Sequence, residues 1–204
     1  MTALIVGINQ SAWKMSRYHI RPAKHGDLPQ VAAIYADAVS NGTASYELEP
    51  PTLAEMTARF DAILSGEYPY LVATDGEAVL GYAYASAFRT RPAYRFVAEN
   101  SVYVAPQAKG TGVGKALMVA LIEECKRLGF RQILAVIGDG SEHSASVRLH
   151  ERLGFRHAGR LEATGYKHGR WLDTVLMQLP MNGGGDTAPD PASMPERRFR
   201  AGRL

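Results

Sequence analysis

Apolar positions along this chain switch between a strand period and a helix period, and the clearest switch falls between residues 99 and 128. Glu99-Asn100-Ser101-Val102-Tyr103-Val104 is rich in β-formers and stops at Ala105-Pro106. After Lys109-Gly110-Thr111-Gly112-Val113-Gly114, apolar or small residues recur at Val113, Ala116, Leu117, Ala120, Leu121, Cys125 and Leu128. Steps of three and four make one helix face, and Gly129 stands where a helix C-cap is expected.

The same reading organises the rest. Tyr18 to Arg21 alternates as a first strand that Pro22 ends. Asp27 is expected to cap a helix with Pro29 near its first turn and Val31, Ile34, Tyr35, Ala38 and Val39 inward, ending at Asn41-Gly42. A loop over 43–51 follows, holding Ser45, Tyr46 and Glu47. Thr52 and Glu55 form a capping box for a second helix, with Leu53, Met56, Phe60, Ile63 and Leu64 inward and Gly66 as its stop. Tyr70–Ala73 and Val79–Ala85 flank Asp75-Gly76, a hairpin signal. Arg131–Ile137 reads as an apolar strand parallel to the one at 99–104, and a helix runs from about His143 to Arg152. Phe155–Gly159 and Arg170–Leu179 read as two closing strands.

These elements predict an α/β (α+β) fold: one mixed, mostly antiparallel sheet flanked by helices. The domain is expected over 17–180. Residues 1–16 show no clear period and read as a mobile extension, or as an over-long start with Met15 as the alternative initiator. Residues 181–204 carry Gly-Gly-Gly and scattered prolines and read as a flexible tail with a basic end.

Composition narrows the class. At 204 residues and 46% hydrophobic, one sizeable core is possible. The net charge is only +3, and Arg197, Arg198, Arg200 and Arg203 lie at the very end, so nothing argues for nucleic acid. One cysteine excludes an internal disulfide and a cysteine-built metal site, and Cys125 on the apolar helix face reads as a buried thiol. No apolar run reaches membrane-span length and no basic region opens a signal peptide, so a cytoplasmic protein without membrane or metal is expected.

The glycine stretch carries the first candidate chemistry. A strand that turns through Gly110, Gly112 and Gly114 into a helix exposes backbone N–H groups at the positive end of the helix dipole, where phosphate binds well. It is not a P-loop, since Lys115-Ala116 lacks the following Ser/Thr, and it is a poor dinucleotide fingerprint. Taken alone, a tight connection explains the glycines equally well.

From about Tyr18 to Leu179 the chain resembles the GNAT superfamily of acetyl-CoA-dependent N-acetyltransferases, and within it the phosphinothricin/methionine sulfoximine/methionine sulfone acetyltransferase group. Four stretches carry the likeness: 99–104, the glycine turn, Ser146–Phe155, and Lys167–Asp173. Lys109 takes the place where the superfamily's pyrophosphate loop usually has Gln or Arg, which keeps the charge but loses the planar fork.

The resemblance implies splayed central strands with acetyl-CoA between them. It implies a diphosphate held by Lys109, Gly110, Thr111, Gly112, Val113, Gly114 and Lys115, and a pantetheine arm along Val102, Tyr103 and Val104. His143 falls where the family commonly has Asn, in a loop one residue longer. The positions matching Arg89, Thr90 and Arg91, and those matching Glu99, Asn100 and Ser101, contact the acceptor in the resembled group, and Tyr94 is an aromatic wall. Arginine, here Arg89, Arg91 and Arg95, suits an α-carboxylate through a two-pronged hydrogen bond. Glu99 matches the family's general base for an amine that is mostly protonated at neutral pH. His150 stands where many relatives have a Tyr acid near the CoA sulfur, and packing is an equal reading of it. Residues 169–173 match a region that closes the acceptor pocket and builds a homodimer in the group.

The function expected is acetyl transfer from acetyl-CoA to the amino group of a small amino acid analogue by direct attack. The same chemistry on a peptide N-terminus or polyamine is the near alternative, though three arginines disfavour a polyamine. An idle acetyl-CoA-binding sensor is the alternative from another class.

Overall fold

The computed structural model describes residues 18–139, 141 and 144–203; the expectations for residues 1–16 and for His143 lie outside them. Seven strands form one sheet in the order β1-β2-β3-β4-β5-β7-β6. They are β1 (His19–Pro22), β2 (Tyr70–Asp75), β3 (Ala78–Ala87), β4 (Val97–Val104), β5 (Gln132–Gly138), β6 (Arg156–Lys167) and β7 (Arg170–Pro180). Every neighbouring pair is antiparallel except β4 and β5, which run parallel, so the expected mixed sheet is observed.

Helices cover both faces. α1 (Leu28–Asn41) and α2 (Leu53–Ser65) lie on one, α3 (Val113–Leu128) on the other. The alternation of β4 shows this: the Tyr103 ring meets Tyr35 of α1, whereas Asn100, of opposite parity, reaches Met118 of α3. The α1 face is aromatic, with Tyr70, Tyr82, Tyr84 and Tyr103 stacked across three strands and Phe60 of α2 set edge-on to Tyr70. The α3 face is aliphatic: Val113, Leu117, Met118, Leu121 and Cys125 are fully buried. Burial pushes the Cys125 thiol up to about 12, so it is a core side chain with no thiolate character near neutral pH. A short helix α4 (Ala145–Arg152) follows β5, with Ser144 as its cap.

Local signals mostly hold, with three differences. Thr52 and Glu55 form the capping box, and Gly76 turns the β2–β3 hairpin with φ 57°. Asp27, however, sits in helical φ/ψ and does not cap α1. Its carboxylate instead takes two 2.7 Å bonds from Arg21 and one from the Lys24 N–H, and this fork holds it below the usual carboxylate range. The closing strands are longer than expected, because β6 runs on to Lys167 and the turn is only His168-Gly169, both left-handed at φ 51° and 72°. That is the two-residue turn whose twist matches a hairpin.

The third difference is the C-terminal segment, which is packed where a flexible tail was expected. Arg131 sends its guanidinium to the carbonyls of Gly184, Thr187 and Ala188 at 2.7–2.9 Å, and Asn182 donates to the carbonyls of Lys126 and Phe130. Met194 is 2% exposed and opens a helix, α5 (Met194–Arg200). Composition misled here because the glycines and prolines shape an irregular path whose carbonyls one buried arginine collects.

The end of α3 is tied to this segment. Gly129 caps it at φ 87°, and a Cβ there would lie 2.4 Å from the Ser193 Cβ. Gly129→Ala therefore combines left-handed backbone strain of about 1–2 kcal/mol with a displaced tail, and urea unfolding should show a loss of at least that size. Adding Ser193→Gly should recover only the contact part. No recovery in the double variant would mean that the segment is not seated on the cap.

Candidate active site

The sheet opens at its centre. β4 and β5 pair only from Val97↔Gln132 to Asn100↔Ala135, after which β4 continues on β3 to Val104 and β5 on β7 to Gly138. The β5-facing edge of Ser101–Val104 is left without a strand partner. A cavity fills the fork, bordered by Ser101–Tyr103, Ala135–Gly138, Ser146 and His150. Val136 is 41% exposed despite its central strand, because its neighbour has turned away. A wider depression of about 740 Å³ lies at the other end of β5, around Gln132, Gln178 and residues 181–186, away from the groups described next.

At the far end of β4 the chain makes the glycine turn. Gly110 and Gly112 take φ 79° and 92°, and the Thr111 hydroxyl closes the turn on the Ala108 carbonyl at 2.7 Å. α3 begins at Val113 with no side-chain cap among the described residues, and its first intrahelical bond runs from the Ala116 N–H to the Gly112 carbonyl. The N–H groups of Val113, Gly114 and Lys115 are thus the open donors of the first turn. The Val113 side chain is buried, so only its backbone faces outward, while Lys115 is exposed. A Cβ on Gly114 would touch Val104 at 3.3 Å and Leu149 at 3.7 Å, so its small size also serves packing. Lys109 is exposed, with its amine 3.8 Å from Asp37. Open N–H donors, the helix dipole and two lysines are the donor set a diphosphate needs.

Glu99 occupies the opposite end of β4, in register with Ser86 and Leu134. It is half-buried, no donor among the described residues reaches its carboxylate, and burial alone pushes its pKa above the ordinary carboxylate range. Ser101 lies on the same face, opposite Tyr84. The loop before β4 folds into a tight turn at Pro92–Tyr94, in which the Arg89 guanidinium lies over the rings of Phe88 and Tyr94. Arg89, Thr90 and Arg91 are exposed, and no carboxylate among the described residues pairs with either arginine. Arg95 does not join them: it is turned back onto Glu196 at 2.9 Å.

His150 is 1% exposed at the floor of the fork. Its Nδ1 lies 2.7 Å from the Ser146 carbonyl and must donate; its Nε2 lies 3.0 Å from the Asn100 amide and, in the neutral ring, accepts from it. Burial lowers its pKa, which favours that neutral form. In this arrangement neither ring nitrogen offers a proton to the fork, so the geometry supports the packing reading over the acid. Asn100 Oδ1 has no partner among the described residues.

The resemblance also implies that the loop between the first two helices borders the acceptor site, but the anchors of that loop have no local sequence signal. The 43–51 loop is pinned across the fork. The Tyr46 ring sits against Gly138 and Gly165, where an added Cβ would lie 2.8 and 2.6 Å from it, and its hydroxyl meets the Asp173 carbonyl and Thr174 Oγ1 at 3.0 Å. Lys167 is buried and donates to the Ser45 carbonyl at 2.7 Å. The Tyr35 hydroxyl contacts Ser45 Oγ and Glu47, and Arg59 holds Glu47 at 2.6 Å. These partners are up to 128 residues apart, so no local pattern announces them.

Residues 20–176 match the acetyltransferase (GNAT) domain family. The phosphinothricin N-acetyltransferase of Alcaligenes faecalis is 49% identical over 171 residues, 84% of this chain and 86% of that protein. The L-methionine sulfoximine/L-methionine sulfone acetyltransferase of Pseudomonas aeruginosa is 44% identical over 165 residues, 80% of this chain and 94% of its own. A crystal structure of a GNAT superfamily phosphinothricin acetyltransferase from Sinorhizobium meliloti in complex with acetyl-CoA superposes with a TM-score of 0.85 at 49% identity, covering 89% of this chain and 97% of that one. With the forked sheet and the glycine turn at a helix tip now joined to a family match over most of its length, this chain belongs to the GNAT acetyltransferases, which use acetyl-CoA.

Proposed function

We propose that the chain moves the acetyl group of acetyl-CoA to the amino group of a small amino acid analogue of the phosphinothricin, methionine sulfoximine or methionine sulfone type. One observation carries the reading: Glu99 is a half-buried carboxylate with no counter-ion among the described residues, held on β4 next to the strand edge that β5 leaves open, and the loop before β4 carries the exposed Arg89 and Arg91. Arg89 and Arg91 receive the acceptor's carboxylate, with Tyr94 as the wall, while Thr90, Asn100 and Ser101 border the same end. The edge of Val102, Tyr103 and Val104 takes the pantetheine amides like an added strand. The donors at Gly110, Gly112, Val113 and Gly114, with Lys109 and Lys115, hold the diphosphate, and Thr111 shapes their turn through its bonds to the Ala108 carbonyl.

Glu99 takes a proton from the acceptor's ammonium. The freed amine attacks the thioester carbonyl carbon, a C–N bond forms, and the C–S bond breaks. As the intermediate collapses, the nitrogen gives its second proton to solvent water, and the sulfur, leaving with the bonding pair, takes a proton back from that water. His150 keeps Asn100 in place rather than supplying that proton.

Glu99→Gln should lower kcat by roughly 10²–10⁴ and leave CoA affinity intact in a binding titration. The same variant tests the burial of the group. Because the folded pKa of Glu99 lies above its unfolded value, the folded chain binds more protons between the two, and ionised Glu99 detracts from stability above that window. The cost is relieved as pH falls through the folded value. Glu99→Gln should thus raise Tm at neutral pH and lose that advantage on acidification, while the acid limb of kcat/KM disappears. Unchanged turnover removes Glu99 as the base.

His150→Gln keeps an acceptor for Asn100. The loss in kcat should stay well under the roughly 10²-fold of an acid–base group. A loss of that size or larger, with folding and CoA affinity intact, would return His150 to the role of proton donor.

A homodimer is part of the proposal. β6 is an edge strand, and its Tyr166 and the paired Trp171 of β7, 58% and 65% exposed, stand edge-to-face. Sedimentation velocity should give a dimer that Trp171→Glu shifts toward monomer; a monomeric parent chain would overturn this part.

A further inference from the structure

The C-terminal segment lies beyond the family match, which ends at residue 176, yet it grips the loop proposed to receive the acceptor. Glu196 of α5 accepts from Arg95 Nε at 2.9 Å, and both side chains are largely buried. The Arg95 guanidinium also lies between two rings, 4.4 Å from the centroid of Phe96 and 4.5 Å from that of Phe199. An arginine held by a carboxylate and two faces has little freedom. Arg95 closes the Pro92–Tyr94 turn through its own N–H and its Nη1, both on the Pro92 carbonyl. Tyr94 then meets Phe88 edge-on, and both rings carry the Arg89 guanidinium. A continuous set of contacts thus runs from α5 to Arg89.

The other end of the strap is anchored independently. Arg131 is 7% exposed and bonded to three tail carbonyls and the Thr187 hydroxyl. Arg198 donates to the Ser65 carbonyl at the end of α2 and to Glu67. The segment is therefore fixed to β5 and α2 and is free to hold the loop against them.

We propose that residues 181–203 are a positioning strap: Glu196 and Phe199 fix Arg95, and through it set where Arg89 and Arg91 present themselves to the acceptor's carboxylate. This rests on the reading of residues 88–95 as the acceptor loop. It explains why Arg95 is no third carboxylate ligand. It also assigns the strap to acceptor binding and not to acetyl-CoA binding, since the glycine turn and Ser101–Val104 have no part in the chain of contacts.

The test uses the full-length enzyme with methionine sulfone as the probe acceptor. Steady-state KM values for acceptor and for acetyl-CoA would be measured in Glu196→Gln, Phe199→Ala and Phe199→Tyr, with Arg89→Ala and Arg91→Ala as references and Tm recorded for each. Glu196→Gln and Phe199→Ala should raise the acceptor KM about five- to tenfold, with acetyl-CoA KM and kcat near the parent values. Phe199→Tyr, which keeps the ring face, should restore the parent behaviour. If both KM values and kcat drift together in step with Tm, the segment serves stability only and the proposal is overturned. If the acceptor KM stays fixed while Arg89→Ala and Arg91→Ala raise it, the strap fails and the loop reading stands. If the arginine variants also leave it unchanged, both readings fall.

Discussion

Four residue pairs of parallel β4–β5 pairing, followed by none, are the constraint on which the rest of the structure depends. An unpaired strand edge inside a sheet is costly unless water or a ligand satisfies its N–H and C=O groups. Here the divergence is enforced from both sides. β4 remains paired with β3 to Val104, and β5 remains paired with β7 to Gly138. Neither can swing back without losing its antiparallel partner. The fork is thus a product of the sheet's own hydrogen bonding, and the chain supplies a binding edge without a special loop to build it.

At the floor of the fork a buried histidine has a structural task. Asn100 is the last β4 residue in the parallel register, and its side chain points to the α3 face, where an isolated amide would lose its hydrogen bonds. His150 from α4 takes one of its N–H groups and uses the Ser146 carbonyl to fix its own tautomer. The pair holds α4 against β4 at the depth where the strands separate. Glu99, one residue earlier and on the opposite face, has no such partner among the described residues. Two adjacent polar residues of one strand are treated in opposite ways: one amide is held by a buried partner, and one carboxylate has its charged form disfavoured by burial.

What the sequence made legible follows from the range over which each feature acts. The capping box at Thr52, the Asp75-Gly76 hairpin and the Gly129 cap are set within a few residues, and all three stand as read. The helix face of α3 was visible for the same reason. Asp27 misled because an arginine six residues earlier competes for its carboxylate with better geometry than a backbone N–H provides. The tail misled because its order comes from Arg131, some fifty residues away, and not from any period of its own. At the site, Glu99 becomes a candidate, and the phosphate reading of the glycine turn takes the lead, only through likeness to a family. The partners of Tyr46, Lys167 and Arg95 were not legible, since each lies about 100 residues or more from the residue it holds.

β4 also works as a ruler. Its carboxylate at Glu99 and the strand end at Val104 are five residues apart, about 17 Å at the usual strand rise, and the α3 tip follows one short turn later. A thioester carrier whose diphosphate is held at that tip must lay its arm along the unpaired edge to bring its carbonyl near Glu99. The aromatic stack of Tyr70, Tyr82, Tyr84 and Tyr103 keeps this strand straight from one face, and buried Val113, Leu117 and Met118 support it from the other. Because the side-chain period is two, a slip of one residue in β4 would exchange Glu99 and Asn100 between faces as well as change the distance. Register, the face that Glu99 occupies and its distance from the α3 tip are therefore one property of the strand, and the packing on both faces protects all three together.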